Sequence, residues 1–281
     1  MSKHLSGAAQ QEFDSLVHHL FQASGRVPNE ACQYRSGVVG DIYKFRTMGK
    51  GMANQKASQA DVTPMDVTHS LVSCTLENWN APEYTDIFDQ AEVNFDEKSQ
   101  LAKSIASAMG RRKDQLFIDA LDASTPTATV GVAVGGADSG LNVAKIRAAG
   151  EELDNNGADS DGRFIIANTR SKWTLLAETE TTSADYNTVK ALSQGQINTF
   201  AGFQFIWIAD NAEGGITEGA GDVYDGYAFH RDAMGMAIGI DFRTEINYVA
   251  QKTSWLINGL FKAGAVAIDE TGIVKVQCDE T

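Results

Sequence analysis

The chain has 281 residues, 43% of them hydrophobic and 21% charged, an ordinary globular composition with room for one large domain or two modest ones. Its longest purely apolar runs, such as Phe205-Ile206-Trp207-Ile208-Ala209, are far too short to cross a bilayer. The opening Met1-Ser2-Lys3-His4-Leu5-Ser6-Gly7 lacks the apolar core of a signal peptide, which points to folding in a cytoplasm. The formal net charge of −14 argues against a sequence-specific nucleic-acid binder, which would carry a basic patch.

Charge is unevenly spread. Residues 1–60 hold seven Lys/Arg against four Asp/Glu, whereas residues 61–281 hold sixteen against thirty-three. A slightly basic arm on an acidic body suits a subunit that lies over its neighbour. Cys32, Cys74 and Cys278 form no CxxC pair and lack histidines at metal spacing, which fits packing roles in a reducing compartment.

In chain order, Gln11 to Gln22 is amphipathic, with Phe13, Leu16, Val17, Leu20 and Phe21 at helical spacing. Ser24-Gly25 ends it and Pro28 prevents its resumption. A helix this short needs a partner for its apolar stripe. Residues 38–47 and 67–77 alternate as strands, and Met48 to Asp66 between them is polar and small. The simplest assembly is a two-stranded antiparallel ribbon with a flexible tip. A lone ribbon is barely stable in water. Either another molecule covers it or it packs on its own domain, and the segment alone leaves both open.

After Pro82 a short helix is expected over Tyr84 to Ala91, then a long one from Asp96 to about Leu121. Asp96 is placed as N-cap, with Glu97 just inside suiting the helix dipole. Leu101, Ile105, Ala108, Met109, Leu116, Phe117, Ala120 and Leu121 mark the apolar side, and Gly110 with Arg111-Arg112-Lys113 is expected to interrupt it. About twenty-five residues make a rod of about 38 Å, a spine for an extended subunit.

Further on, Thr127 to Val134 reads as strand before the Gly135-Gly136 turn. Leu141 to Leu153 reads as helix, Phe164–Ala167 as a buried strand, Asn187 to Leu192 as helix and Phe200 to Ala209 as strand. Residues 211–226 read as an exposed, acidic, glycine-rich loop. Strands are expected at Ala233–Ile240, Thr253–Leu260, Val266–Ile268 and Ile273–Val276. The fold class is α+β with long excursions, without the regular alternation of a doubly wound sheet.

Chemistry-bearing motifs are sparse. Asp159-Ser160-Asp161-Gly162 resembles part of a calcium loop but lacks the twelfth-position ligand, and is read as a turn. Gly135-Gly136 has neither the lysine of a P-loop nor a third glycine, and is likewise read as a turn. His18-His19 and His69 have no apparent catalytic partner. His230-Arg231-Asp232 comes with no nucleophile elbow. No catalytic residue, metal site or cofactor is expected.

The order of elements resembles the Hong Kong phage fold shared by tailed-phage major capsid proteins and encapsulins: polar arm, long ribbon, long spine helix, mixed body. The wording is similar too. Lys56-Ala-Ser-Gln-Ala-Asp-Val-Thr-Pro-Met-Asp, Thr75-Leu-Glu-Asn-Trp-Asn-Ala-Pro-Glu-Tyr-Thr-Asp and Phe95-Asp-Glu-Lys-Ser-Gln-Leu-Ala-Lys are like one branch of these subunits. Trp255-Leu-Ile-Asn-Gly-Leu-Phe-Lys-Ala-Gly-Ala-Val-Ala-Ile-Asp-Glu-Thr-Gly-Ile-Val-Lys-Val resembles their closing strand pair.

The resemblance implies an N-terminal arm at about 1–34 and an extended ribbon, the E-loop, at about 35–80. A peripheral domain would take 81–140 and 228–265, with spine helix 96–121, and an axial domain 141–227 and 266–281. It implies contacts to neighbouring subunits through Phe13, Leu16 and Leu20 of the arm and Arg46, Lys50, Met52 and Lys56 of the ribbon. It further implies hexamers and pentamers closing into an icosahedral head around double-stranded DNA held without sequence-specific binding. The 211–226 loop would sit near a five- or six-fold axis. No membrane is involved, assembly takes place in the host cytoplasm, and a portal and a separate scaffolding protein are expected partners, since only about thirty residues precede the ribbon.

Some members crosslink a ribbon lysine to a peripheral-domain asparagine. Lys50, Lys56 and Asn258 are in roughly suitable regions, but no assisting glutamate is identifiable, so packing without a crosslink is the reading taken. An encapsulin-like shell, marked by bound cargo peptide instead of DNA, is the alternative the sequence leaves open. An α+β enzyme is a further alternative, and it would need a nucleophile–base–carboxylate set.

Overall fold

Residues 25–88, 96–177, 199–209, 213–216 and 221–280 are described by the structure, a computed structural model of the chain. The first strands are β1 (Gln33–Arg35), β2 (Ile42–Met48), β3 (His69–Thr75) and β4 (Glu77–Asp86), followed by helix α1 (Glu97–Asp122). Next come β5 (Ala128–Val130), α2 (Val143–Asn155), β6 (Arg163–Asn168) and α3 (Thr169–Ala177). The rest is β7 (Thr199–Phe200), β8 (Phe203–Ile208), β9 (Val223–His230), β10 (Met234–Val249), β11 (Ser254–Ala267) and β12 (Ile273–Asp279). They form a four-stranded sheet ordered β1-β10-β11-β4, a six-stranded sheet ordered β5-β12-β9-β6-β8-β7, and the separate ribbon β2-β3.

The spine helix joins the two sheets. The 26 residues of α1 make a rod of about 39 Å. Its first half, through Ile105 and Met109, packs on the four-stranded sheet at Gly259 and Ile257. Its second half reaches the six-stranded sheet, where the Phe117 ring lies 5.7 Å from Phe229. Two cations pin it to the first sheet: Arg112 lies 3.6 Å over the Trp79 ring and Lys98 3.9 Å over Trp255. Gly110 does not interrupt the helix, because the cost of one glycine is small against this two-sided burial. Asp96 is the N-cap residue as expected, but its side chain accepts no capping hydrogen bond.

The six-stranded sheet is covered on both faces, which explains why every residue of β6 is buried. Phe164 and Ile166 face the α1 side, while Ile165 and Ala167 face the core built by Ile146, Ala149, Leu153 and Leu175 of α2 and α3. Asn142 caps α2 by accepting from the Lys145 N–H at 2.8 Å. The sheet mixes parallel β6–β8 and β5–β12 pairs with antiparallel neighbours, which is α+β in character.

Several expected elements differ. Tyr84 to Asp86 are strand, not helix: β4 runs straight through Pro82. It is an edge strand, where a missing N–H is tolerated. The strand after Ser124 shrinks to Ala128–Val130. The expected strands at Ala233–Ile240, Thr253–Leu260 and Val266–Ile268 are parts of two long ones, β10 and β11, joined by a hairpin whose distal β10 half is mostly exposed. Of the supposed loop 211–226, residues 223–226 lie in the well-buried β9 and Ile216 is buried. The strand pairings put residues 77–80 in the four-stranded sheet and 128–130 in the six-stranded one. The helices expected over 11–22 and 187–192 lie outside the described residues.

Candidate functional site

The ribbon stands apart from both larger sheets. β2 and β3 pair from Ile42↔Thr75 to Met48↔His69, and the ladder continues with the Gly49 N–H donating to Thr68 O at 2.8 Å. Burial is confined to its root, where Phe45, Cys74 and Leu76 pack with Ala237. Further out residues 49–66 are exposed, including Met52 at 81% and Val62 at 75%. Met48, Met65 and Leu71 are exposed as well. A run of apolar side chains left in water on a narrow ribbon marks an interaction surface.

The root is tied by charge as well as packing. Lys262 of β11 pairs with Asp41, holding that carboxyl below its ordinary range, and the Asp41 carbonyl accepts from the Leu76 N–H at 2.8 Å. Burial pushes the Cys74 thiol up to about 11, so it packs as a small apolar group. At the tip, Lys50 reaches the body by donating to Asn156 O at 3.0 Å.

A second anchor fixes the start of the described chain. Asp114, buried on α1, accepts the backbone N–H groups of Arg26 at 2.5 Å and Val27 at 3.1 Å. The Arg26 guanidinium donates to Trp207 O at 2.9 Å, and Lys113 to Asn29 Oδ1 at 2.5 Å. Burial raises the Asp114 carboxyl above its ordinary range, partly offset by these two N–H groups and by the Lys113 and Arg26 charges. From here the chain enters β1, parallel to β10 at Gln33↔Gly235.

Of the residues singled out for subunit contacts, Arg46, Lys50, Met52 and Lys56 are all exposed on the ribbon. Phe13, Leu16 and Leu20 lie outside the described residues. Asn258 stands mid-strand in β11 opposite Pro82 and Glu245, while Lys50 reaches Asn156. Asp114 was not singled out, although a carboxylate three residues before Phe117 and seven before Leu121 sits in the buried register of the helix. That is the signal that would have found it.

The other motifs are structural in detail. At Gly162, with φ of +81°, the carbonyl accepts from the Arg231 N–H, and Arg163 gathers Asp154, Ala158 O and Asp159 O around its guanidinium. Gly135, with φ of +85°, makes the turn before α2. His230 Nε2 donates to Asp161 O at 2.8 Å and Nδ1 accepts from the Asp232 N–H at 3.2 Å, which together fix one tautomer. Cys32 and Cys278 are buried, with burial raising their thiols to about 11 and about 12. Among the described residues no group of three or more His, Cys, Asp or Glu could hold a metal ion.

A family model described as phage capsid protein matches residues 5–280. The chain belongs to the phage capsid protein family. This capsid protein is also similar in fold to the capsid of the cyanophage P-SCSP1u, with a TM-score of 0.76, 15% identity, and 98% of this chain and 94% of that one covered. The head structure of Helicobacter pylori bacteriophage KHP40 gives a TM-score of 0.79 at 10% identity, covering 98% and 97%. At such identities the likeness speaks to the fold. No curated protein matches the capsid protein. Family membership makes it a structural shell protein, which answers the question the sequence left open between phage shell, compartment shell and enzyme.

Proposed function

We propose that this major capsid protein assembles with copies of itself as pentamers and hexamers into a closed icosahedral shell around double-stranded DNA. The observation that carries the reading is the ribbon. Its distal apolar side chains, Met52 and Val62 among them, are exposed among the described residues, and burying them against a neighbouring subunit would be favourable. Arg46, Lys50, Met52 and Lys56 are the ribbon residues that meet a neighbour, and Phe13, Leu16 and Leu20 those of the arm. The arm at about 1–34 and ribbon at about 35–80 lie across adjacent subunits. The body divides into a peripheral part (81–140 and 228–265) and an axial part (141–227 and 266–281). Strand pairing favours moving 77–80 to the first and 128–130 to the second.

The acidic balance of the body suits an inner wall that encloses DNA without gripping it. Assembly proceeds in the host cytoplasm with a separate scaffolding protein and a portal. Replacing residues 49–67 by a short glycine turn tests the reading in cells that make the full set of head proteins. The body should melt as the parent does while closed particles disappear. Normal particles from this deletion would remove the ribbon from the assembly mechanism.

A further inference from the structure

We propose that four small residues on one face of the four-stranded sheet, Gly235, Ala237, Gly239 and Gly264, form a joint that sets the angle at which the ribbon leaves the body. The inference deepens the assembly reading and rests on it only for its consequence in shells. Residues 235 and 237 alternate onto one face of β10, Gly239 joins them at the register shift between Ile238 and Ile240, where it approaches Val38 and Leu76, and Gly264 of β11 pairs with Ala237. Opposite them stand the ribbon root and its flanks. A Cβ added at Gly235 would lie 2.7 Å from Phe45 Cζ and 2.8 Å from Ile268 Cδ1, the free end of a flexible side chain, and one at Gly239 would lie 3.1 Å from Val38 O and 3.2 Å from both Leu76 Cδ2 and Lys262 Cδ. At Gly264 it would collide with the Thr75 carbonyl, a backbone atom that cannot rotate aside.

Space, not backbone freedom, is what these glycines provide, since none of the three has a positive φ. Glycine weakens a strand interior, so its repetition on one face calls for a reason, and close approach of another backbone is such a reason. Facing sheets ordinarily stand about 10 Å apart because two layers of side chains fill the gap. With one layer absent, Phe45, Cys74 and Leu76 seat directly on the sheet. The root is then held on both sides, by the Asp41–Lys262 pair and by the Val38 N–H donating to Ile238 O at 3.0 Å. The ribbon acts as a lever on this seat. A tilt of about 10° at the root moves the end of a seven-residue strand, about 23 Å long, by roughly 4 Å.

The joint is tested in the full-length chain by pulsed-EPR distances between spin labels at Asn54→Cys and Glu151→Cys, both exposed, the native cysteines being buried. Gly235→Ala should lengthen or broaden the distance by several ångströms and reduce particle yield at least tenfold when co-produced with the other head proteins. Adding Phe45→Leu should restore both, while Gly131→Ala, with open space around it, should change neither. Gly264→Ala should shift the distance without rescue by Phe45→Leu. An unchanged distance in Gly235→Ala overturns the joint. So does a misfolded Gly235→Ala that Phe45→Leu does not repair, because the glycine would then serve the body alone. A shifted and rescued distance with normal particles would support the joint and overturn the ribbon's part in assembly.

Discussion

Single carboxyls carry much of the capsid protein's order. Asp114 satisfies two backbone N–H groups that would otherwise be left inside the fold. Asp114→Ala should cost about 1–3 kcal/mol, the usual penalty for stranded donors. Hydrogen exchange at Arg26 and Val27 checks this. Fast exchange there with the six-stranded sheet still protected is expected, and undiminished protection would show that the anchor lies elsewhere. Burial also raises Asp114, Asp122 and Glu280 above ordinary carboxylate values. A carboxyl with a raised folded pKa binds its proton more tightly in the native state, so its contribution is fully present below the unfolded value, about 4, and is lost as pH rises through the folded value. Asp122→Asn removes one of these groups. Its urea midpoint, followed upward from pH 4, should fall less steeply than the parent's, and an identical slope would contradict the assignment.

At the scale of elements, α1 is where stability concentrates, because it closes the core over both sheets. Phe117→Ala, at a fully buried site against Phe229, should cost about 3–5 kcal/mol in urea unfolding. Ile105→Asp places a charge under Gly259 and should leave no folded subunit, since the penalty of several kcal/mol approaches the whole margin of stability. A soluble, cooperatively melting Ile105→Asp protein would mean the helix does not seat as described. The helix was legible in the sequence because one sustained apolar period needs no tertiary context. So were the ribbon strands, whose alternation brackets a polar tip. β4 was not legible, because Pro82 and the asparagines around it suggest a turn, and only a place at the sheet edge permits them in a strand. The distal half of β10 was hidden for a related reason: Asp241 to Tyr248 are largely exposed, so hydrophobicity gives little sign of a strand that pairing with β11 maintains. The same holds for single residues. Arg46 and Lys56 are exposed where the ribbon reading puts them, whereas Asp114 and the glycines at 235, 239 and 264 act through backbone proximity, which residue identity alone does not display.

For the whole molecule, the decisive property is incompleteness. A body with two well-filled cores extends a ribbon that buries only its root, and that division makes sense in a subunit whose remaining contacts belong to copies of itself. The acidic body and the slightly basic first sixty residues give opposite surfaces for neighbours to match. The most direct measurement is electron microscopy of particles purified from cells producing the full-length chain with its companion head proteins. Closed shells built from rings of five and six subunits, with each ribbon crossing onto the adjacent subunit, are predicted. A chain that stays monomeric under those conditions, or shells in which the ribbon folds back on its own body, would contradict the account.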